Sequence, residues 1–348
     1  MRNQPFGAVV YGIDLGKTRF DVVGCDAAGQ PVQHVKLSRD TLFAFFAAAP
    51  KALIGMEACP GAQWMARKLS ELGHTVRIIP AQFVKPFVKS NKNDARDAEA
   101  IAEAVIRPTM RFVEIKNCEQ IDLQALHRVR DRIVGNRTQL ICQMRAFCLE
   151  YGIAIRPGRG AFKLDIARIL TDETNDLTPA IRVLLKELWE ELKIADIRLA
   201  AVSRQVEVLA AKHDTARRLM TIPGIGPIGA TALIAAVGDG RQFRKARDLA
   251  AWLGLVPRQN STGGKTTLLG ISKRGNPYIR RLLIHGARSC MIHLDRSGDR
   301  MGVWLNALDG RTHRNKAIVA LANKIARIAW ALLRRPHTLY ERIAPAHA

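Results

Sequence analysis

The chain has 348 residues, of which 48% are hydrophobic and 6% aromatic, and its formal net charge is +23 at pH 7. This length is enough for two domains with sizeable cores, and the composition is ordinary for a globular, helix-rich protein. No apolar run is long enough to cross a membrane, and the opening run AVVYGI is too short for a signal peptide or anchor. We therefore expect a cytoplasmic protein without a membrane partner.

The excess positive charge is concentrated in the last third of the chain. Residues 216–348 contain 23 Lys and Arg against 6 Asp and Glu, a net charge of +17. Residues 1–110 and 111–215 carry only +4 and +2. A basic region joined to a near-neutral one predicts a polyanionic partner, most often nucleic acid.

The cysteines give no sign of a disulfide framework or a zinc site. Six are scattered along the chain without a C-x-x-C pair, which indicates free thiols in a reducing cytosol. His285, Cys290 and His293 lie close in sequence, but a fourth zinc ligand is missing, so we interpret them as ordinary helix residues.

The first 110 residues alternate between strand and helix patterns. In chain order these predict strands at 8–14, 19–25 and 31–37, a helix in RDTLFAFFAAA, a strand at 51–57, a helix in GAQWMARKLSELG, a strand in HTVRIIP and a helix from about 94 to 106. The first three strands form an antiparallel meander, and the helical crossovers make the later strands parallel to the first. The order βββαβαβα thus places the first and fourth strands side by side.

The rest of the chain is predominantly helical. Residues 119–150 and 179–212 form two long amphipathic helices of near-equal length, typical of an antiparallel coiled-coil arm. The segment between them is expected to be a loop or a short helical tip. After residue 216 the patterns predict, in chain order, two short helices around PGIGP, a helix in KARDLAAWLGL, a Gly-rich basic loop or hairpin in VPRQNSTGGKTTLLGISKRGNP, and helices in PYIRRLLIHGARSCMIH and KAIVALANKIARIAWALLRR.

The stretch SNKNDARDAEAIAEAVIRP places two carboxylates at the start of a helix. Asp94 and Asp97 are three residues apart and face the same way, close to Lys89, Lys92 and Arg96. One interpretation is that the acids complement the positive end of the helix dipole. The other is that a cation lies between them, since paired like charges are otherwise unfavourable.

Two further acids end strands of the predicted sheet. Asp14 ends the first strand and Glu57 the fourth, and the carboxyl ends of parallel neighbours are where sites form in such sheets. The following helix can bring Asp94 and Asp97 to the same place. Four carboxylates together require a divalent cation, and oxygen ligands favour Mg²⁺ or Mn²⁺, which can polarise phosphoryl oxygens. Taken singly, each acid is equally consistent with a solvated loop charge.

The basic region contains a second candidate site in LMTIPGIGPIGATALIA. Two helices around a G-x-G turn are typical of a helix–hairpin–helix, in which Gly224 and Gly226 would let backbone N–H groups approach a phosphate. An ordinary turn between two helices is the alternative.

Several motifs resemble those of one enzyme family. GIDLGKTRFDVV, IGMEACPG and KNDARDAEAIAEA resemble the acidic tetrad of the insertion-sequence-110 type transposases, also called DEDD or bridge-RNA-guided recombinases. GLVPRQNSTGGKTTLLGISKRGNPYIRRLLIHGAR is similar to their C-terminal domain, most of all in the branch named after insertion sequence 1111. By motif, Asp14, Glu57, Asp94 and Asp97 match the tetrad, and Ser261 matches the family's nucleophilic serine.

The resemblance implies a fold in three parts, α/β followed by α. Residues 1–115 would form a ribonuclease-H-like, Holliday-junction-resolvase-like DEDD domain and residues 116–215 an antiparallel coiled-coil arm. Residues 216–348 would form a basic, mainly helical transposase domain with the helix–hairpin–helix and the serine.

The resemblance also implies an activity and partners. The protein would be a bacterial or archaeal transposase or site-specific recombinase that cuts and rejoins DNA through a serine–phosphate intermediate. Mg²⁺ or Mn²⁺ held by the tetrad would assist. The partners would be double-stranded donor and target DNA, a structured non-coding guide RNA, and further copies of the chain in a homodimer that assembles to a tetramer.

The chemistry around Ser261 is compatible with this role. A serine on a Gly-rich loop can come close to a backbone phosphate, and no G-x-S-x-G elbow or partner His indicates acyl transfer. Apart from the resemblance, Ser261 would be read as a solvated turn serine, and Thr262 and Ser272 are neighbouring hydroxyls. Charge compensation and nucleic-acid contacts are assigned to a further set of residues: Gly224, Gly226, Arg258, Lys265, Lys273, Arg274, Arg280 and Arg281.

Three rival functions remain open. YGIDLGKTRFDVV also resembles the first phosphate loop of the sugar-kinase and actin-type ATPases, although no second Gly-rich phosphate segment follows. A resolvase-type nuclease would use the tetrad alone, without serine chemistry. A non-catalytic DNA-binding protein would use neither.

Overall fold

The chain divides into two compact units, Met1–Asn117 and Cys118–Ala348. The computed structural model describes residues 7–88, 93–297 and 300–342. The first unit is a mixed α/β structure and the second is mostly helical. Among the residues described, no helix is both long enough and apolar enough to cross a membrane.

The first unit is built on a five-stranded sheet of order β3-β2-β1-β4-β5. Its elements are β1 (Val10–Leu15), β2 (Arg19–Cys25), β3 (Pro31–Ser38), α1 (Arg39–Ala48), β4 (Leu53–Glu57), α2 (Ala62–Glu71), β5 (Thr75–Ile79), α3 (Ala81–Val84), a 3₁₀ turn (Lys85–Phe87) and α4 (Asp94–Val105). The first three strands pair antiparallel, whereas β4 pairs parallel with β1 and β5 with β4. The predicted order and the predicted neighbours β1 and β4 are confirmed, with α3 and the 3₁₀ turn as additions.

Helix α4 lies unusually close to the sheet because glycines face it. A Cβ on Gly12 would lie 2.0 Å from the carbonyl oxygen of Ala98, and one on Gly55 would lie 2.8 Å from the Cβ of Val105. Any larger side chain at Gly12 would therefore push the helix away from β1. Buried alanines on α4, including Ala98 and Ala102, complete the close approach. The start of α4 is consequently held beside the ends of β1 and β4.

The second unit combines two long helices with a helical bundle and a hairpin. Its elements are α5 (Cys118–Glu150), α6 (Arg159–Thr171), α7 (Pro179–Lys212), α8 (Asp214–Met220), α9 (Pro227–Val237), α10 (Ala246–Trp252), β6 (Pro257–Thr262), β7 (Lys265–Ile271), α11 (Pro277–His293), α12 (Arg300–Asp309) and α13 (Arg314–Arg334). Helices α5 and α7 pack on each other and on α9. The buried positions of α7 include Leu185, Leu192, Leu199 and Val206, which recur every seven residues.

Two helices add detail to the prediction. Of the two alternatives for the segment between the long helices, a loop or a short helical tip, the structure shows a helix, the 13-residue α6. Its residues Phe162, Ile166, Ile169 and Leu170 form one apolar face, which is buried in a core shared with α5 and α7. Helix α12 was not predicted, and its buried side chains Met301 and Leu305 pack in the core of the basic region.

A buried histidine joins the long helices to the basic region. His127 of α5 is 4% exposed, and its ring nitrogens lie 3.0 Å from the Tyr278 hydroxyl and 2.9 Å from the Thr231 hydroxyl. Burial, together with the nearby charge of Arg130, lowers the pKa of His127 to about 4, so the ring is neutral at pH 7. This network fixes α5 against α9 and α11, and α11 is the helix that follows the β6–β7 hairpin in sequence. The separate roles of residues 116–215 and 216–348 stay a prediction, because both belong to one compact unit.

Candidate metal centre and serine hairpin

Three acidic side chains converge in the first unit. Asp14 lies at the penultimate position of β1, and Asp94 and Asp97 lie in the first turn of α4. Each offers a carboxylate oxygen such that the three oxygens lie within 4.8 Å of one another. Asp14 and Asp97 are half-buried and Asp94 is exposed, so the group is open to a ligand from solvent. The structure thus brings together three of the four acids that the sequence predicted.

Glu57, the fourth predicted ligand, does not belong to this set of three. It is the last residue of β4 and lies on the same side of the sheet as α4, two residues after Gly55. Burial and the negative charge of Asp97 raise the pKa of Glu57, which places its carboxylate within electrostatic reach of the centre. Among the described residues, the tight cluster is therefore a triad with Glu57 beside it.

The pKa of Asp14 reflects its burial and the negative charges around it. Burial is the largest cause that raises the pKa of Asp14 to about 6, and the charges of Asp97, Asp94, Asp21 and Glu57 add to it. Hard oxygen donors with unrelieved negative charge suit a hard divalent cation. Since the cation competes with a proton on Asp14, its affinity should rise with pH through about 6 and then level off.

The geometry of the acidic pair at α4 agrees with both interpretations. The helix begins after Asn93, whose side-chain oxygen accepts a hydrogen bond from the N–H of Ala95 at 3.0 Å. Asp94 and Asp97 therefore lie at the positive end of the helix dipole and also converge on Asp14. Lys89 and Lys92 lie outside the described residues.

Ser261 lies on an exposed two-stranded hairpin in the second unit. It belongs to β6, and the side chains of β6 and of nearly all of β7 are exposed. Its Oγ accepts a hydrogen bond from Gln259 Nε2 at 2.7 Å and lies 3.3 Å from the Thr266 hydroxyl. The segment predicted as a loop or hairpin is thus a hairpin. Among the described residues, the hydrogen-bond partners of the serine oxygen are Gln259 and Thr266, and neither is a general base.

The predicted nucleic-acid residues fall into two groups. Arg258, Lys265, Lys273 and Arg274 are exposed on or next to the hairpin. In contrast, Arg280 donates to the carbonyl oxygens of Leu253 and Arg274 at 2.9 and 2.8 Å. Arg281 forms an ion pair with Asp131 of α5. Internal contacts thus already engage Arg280 and Arg281, whereas the first four present their charge to solvent.

The sequence around the hairpin contains no acidic residue over a long stretch. Residues 249–294 include seven Lys and Arg but no Asp or Glu. Such a segment attracts a polyanion because it contains no carboxylate of its own, although Asp131 of α5 pairs with its Arg281. The hairpin and the start of α11 therefore carry positive charge with no acidic residue near Ser261 in sequence.

The two glycines of the PGIGP turn have different surroundings. Gly224 has a φ of +88°, and a Cβ there would lie 2.9 Å from the carbonyl oxygen of Gly286 on α11. The backbone conformation and the close packing thus explain why glycine occupies position 224. Gly226 precedes α9 and has open space at its Cβ position. The nucleic-acid role of both glycines stays a prediction, for which Gly226 offers the more accessible backbone.

Comparisons with known proteins match both units. A family model described as the IS116/IS110/IS902 transposase family matches residues 216–301, and a DEDD transposase model of the IS110 type matches residues 11–153. A probable family 20 transposase of Pseudomonas aeruginosa is 47% identical over 93% of this chain and 96% of its own length. The chain belongs to the IS110 family of transposases. Membership in it makes the protein an enzyme that cuts and rejoins DNA.

Two further relatives of this transposase cover almost the whole chain. The transposase of insertion sequence element IS1328 from Yersinia enterocolitica is 45% identical over 93% of this chain and 96% of its own length. The transposase of IS1111A from Coxiella burnetii is 42% identical over 94% of this chain and 90% of its own length. The resemblance to the IS110 type that the motifs indicated is therefore confirmed.

Sequence reasoning missed the residues that shape the acidic centre of this transposase. Gly12 and Gly55 each lie two residues before an acid, in the tripeptides GID and GME, on adjacent parallel strands. The repeated pattern was a usable signal, because alternate residues of a strand share one face. Asp21 was also missed, although it lies directly opposite Asp14 in the β1–β2 pairing.

Proposed function

We propose that the protein is an RNA-guided transposase that exchanges DNA strands through a covalent bond to Ser261. A divalent cation held by Asp14, Glu57, Asp94 and Asp97 would assist the reaction. The observation that carries the proposal is the convergence of the Asp14, Asp94 and Asp97 oxygens in a chain of this family. Mg²⁺ fits their hard oxygen donors, and Mn²⁺ is the close alternative.

The serine step conserves bonds and charge. Ser261 Oγ attacks a DNA phosphorus, an Oγ–P bond forms, and the bond from phosphorus to the leaving sugar oxygen breaks. The serine proton ends on that oxygen, which leaves as a free hydroxyl. The reverse reaction with another strand's hydroxyl rejoins DNA without ATP. The bound cation would supply stabilisation of the negative charge on the phosphate.

Features of Ser261 and its surroundings support this role. The hydroxyl is exposed on a narrow hairpin, and exposed cations flank it. Arg258, Lys265, Lys273 and Arg274 can offset phosphate charge during attack. Ser261 and the acidic cluster belong to different units of the chain, so the proposed reaction requires the two units to meet on the DNA, within one chain or between two copies.

We extend the proposal to the fold of each part and to the partners. The sheet order and the acidic strand ends favour a ribonuclease-H-like domain for residues 1–115. The seven-residue spacing on α7 favours a coiled-coil arm for residues 116–215, and α8 and α9 around PGIGP favour a helix–hairpin–helix in residues 216–348. Double-stranded DNA, a structured guide RNA and a homodimer that assembles to a tetramer complete the proposal.

Trapping of a covalent adduct tests the serine chemistry. The reaction would contain the full chain, Mg²⁺, the structured RNA transcribed beside its gene and a labelled duplex carrying the element junction. We expect a denaturant-resistant protein–DNA band with the wild type and none with Ser261→Ala. The hydroxyl controls Thr262→Ala and Ser272→Ala should keep the band. Cleavage by Ser261→Ala without an adduct would instead establish a nuclease that depends on the acidic centre alone.

Salt dependence of DNA binding tests the assignment of the basic residues. Each phosphate contact that is lost should flatten the slope of log K against log salt by about 0.9. We expect the double variant Arg258→Ala/Arg274→Ala to flatten this slope by about two units, measured by fluorescence anisotropy. The control Lys68→Ala/Arg204→Ala removes the same charge from exposed sites elsewhere. Equal slopes for the two double variants would contradict the assignment.

A further inference from the structure

A row of charged residues extends from the acidic centre across the sheet. In the strand pairing, Asp14 of β1 lies opposite Asp21 of β2, and Asp21 lies opposite Lys36 of β3. His34 is two residues before Lys36 and therefore lies on the same side of the strand. The row changes from acidic to basic at β3, which is an edge strand of the sheet.

Asp21 is the buried member of this row. It is 6% exposed, its Oδ1 accepts a hydrogen bond from His34 Nε2 at 2.8 Å, and the same oxygen lies 3.6 Å from Lys36 Nζ. Its charge also raises the pKa of Asp14, so it adds to the repulsion at the centre. A buried carboxylate is costly and an ion pair of this kind contributes little net stability. A contribution to stability therefore does not explain why a carboxylate is buried at position 21.

The partners of Asp21 are open to solvent. The side chains of His34 and Lys36 are 42% and 58% exposed, although both pair with Asp21. An ammonium group has three N–H donors, so Lys36 retains donors for a second, anionic partner. Two strand spacings, about 10 Å, separate β3 from β1. A nucleic-acid strand that reaches Asp14 can therefore pass these side chains.

We propose that His34 and Lys36 form a phosphate-binding subsite beside the acidic centre, with Asp21 as the residue that positions them. The ligand is a non-reacting backbone phosphate of the DNA strand whose neighbouring phosphate reacts. Asp21 also restrains Lys36 from pairing with Asp14, which would occupy a carboxylate needed for the cation. The inference rests on the proposed function, because it assumes that DNA reacts at this centre.

The test pairs a protein change with a DNA change. Single phosphates on either side of the reacting one are replaced with uncharged methylphosphonates, and single-turnover cleavage is measured with the full chain, guide RNA and saturating Mg²⁺. We expect Lys36→Ala to slow cleavage roughly 10- to 100-fold, as expected for loss of a charged hydrogen bond. One methylphosphonate should slow the wild type by a similar factor and leave Lys36→Ala unaffected, because both changes remove the same contact.

Two further variants separate binding from structure. Asp21→Asn keeps the size and one acceptor but removes the charge, and we expect it to weaken the effect of the same methylphosphonate while both bases remain. Lys68→Ala is the matched control, since Lys68 is exposed on α2 and pairs with Glu71. Helix α2 packs on the opposite side of the sheet from α4, so this variant should keep the full methylphosphonate effect.

Three outcomes would overturn the subsite, and a fourth would overturn the proposed function as well. If no replaced phosphate slows the wild type, or if the slowing in Lys36→Ala adds to that of the methylphosphonate, the subsite is overturned. The same holds if Mg²⁺ raised above the concentration that saturates the wild type restores the rate of Lys36→Ala, because Lys36 would then act on the metal centre. If the wild type cleaves no DNA with any divalent cation, the proposed function fails and the subsite with it. In the other cases the proposed function stands.

Discussion

Replacing Asp14 with Asn should reduce DNA cleavage about 1000-fold or more, since a catalytic cation supplies several kcal/mol and each 1.36 kcal/mol is tenfold in rate. Asp14 offers one of the three converging oxygens, and a neutral amide would weaken the hold on the cation. The measurement is single-turnover cleavage in Mg²⁺, with Asp40→Asn as the control. Asp40→Asn makes the same chemical change in the first turn of α1, away from the cluster.

The same variant should be more stable than the wild type when no metal is present. Burial and four neighbouring charges raise the pKa of Asp14 to about 6, compared with about 3.9 in an unfolded chain. The folded protein therefore binds the proton more tightly, and wild-type stability falls as pH rises from about 4 to 6. At pH 8 in a chelator, Asp14→Asn escapes this penalty. Its melting temperature should exceed that of the wild type, and the difference should shrink towards pH 4.

Added Mg²⁺ should reverse this order of stability. A ligand that binds only the folded state raises the melting temperature, so the wild type should gain stability and Asp14→Asn should gain little. A variant that cleaves DNA at the wild-type rate, or that shows the full Mg²⁺ shift, would remove Asp14 from the metal centre. If Asp14→Asn lost its cooperative melting transition, the variant would have a folding defect. We expect its higher melting temperature in chelator to exclude such a defect.

Much of the first unit could be predicted because local patterns determine it. Alternating apolar residues define the strands, and the helical crossovers force β4 to be parallel to β1. From this topology Asp14 and Glu57 were placed at one edge of the sheet, and Asp94 and Asp97 on one helical face. The structure places three of these acids within a common ligand distance. Which of the four form the tightest group depends on how closely α4 packs, and strand and helix patterns do not encode that distance.

The features that sequence reasoning missed depend on contacts between distant residues. The close approach of Gly224 to Gly286 joins positions far apart in the chain, so neither glycine shows its partner in the local sequence. The sequence left the segment of α6 open between a loop and a short helical tip, because its apolar face, with Phe162 and Ile166, is buried only by contact with α5 and α7. The internal contacts of Arg280 likewise involve the end of α10, and charge counting alone cannot separate such residues from those exposed to a ligand.

The proposed reaction requires a serine and an acidic centre that belong to different units, which raises the question of whether one chain supplies both. Helix α5 has 33 residues and α7 has 34, so a helical arm of this length spans about 50 Å. Contacts between such arms can join two copies of the chain. We therefore expect a composite site in which the acids of one protomer act with Ser261 of the other. Neither group could then cut DNA until the complex assembles.

Complementation between two inactive proteins tests this expectation. Asp14→Ala protein lacks a working metal centre and Ser261→Ala protein lacks the nucleophile, so neither alone should form a covalent adduct. In a mixture of equal parts, random dimers would hold about a quarter of the wild-type number of intact sites, because half are mixed and each has one. Enlarging the Asp14→Ala chain with a tag identifies which chain reacts: the adduct should carry the tag, since only that chain retains Ser261.

Exchange of protomers before DNA is added is confirmed by co-purification through the tag. If mixed assemblies form and yield no adduct while the wild type does, each site is built within a single chain, and assembly does not control access of the serine to the acids.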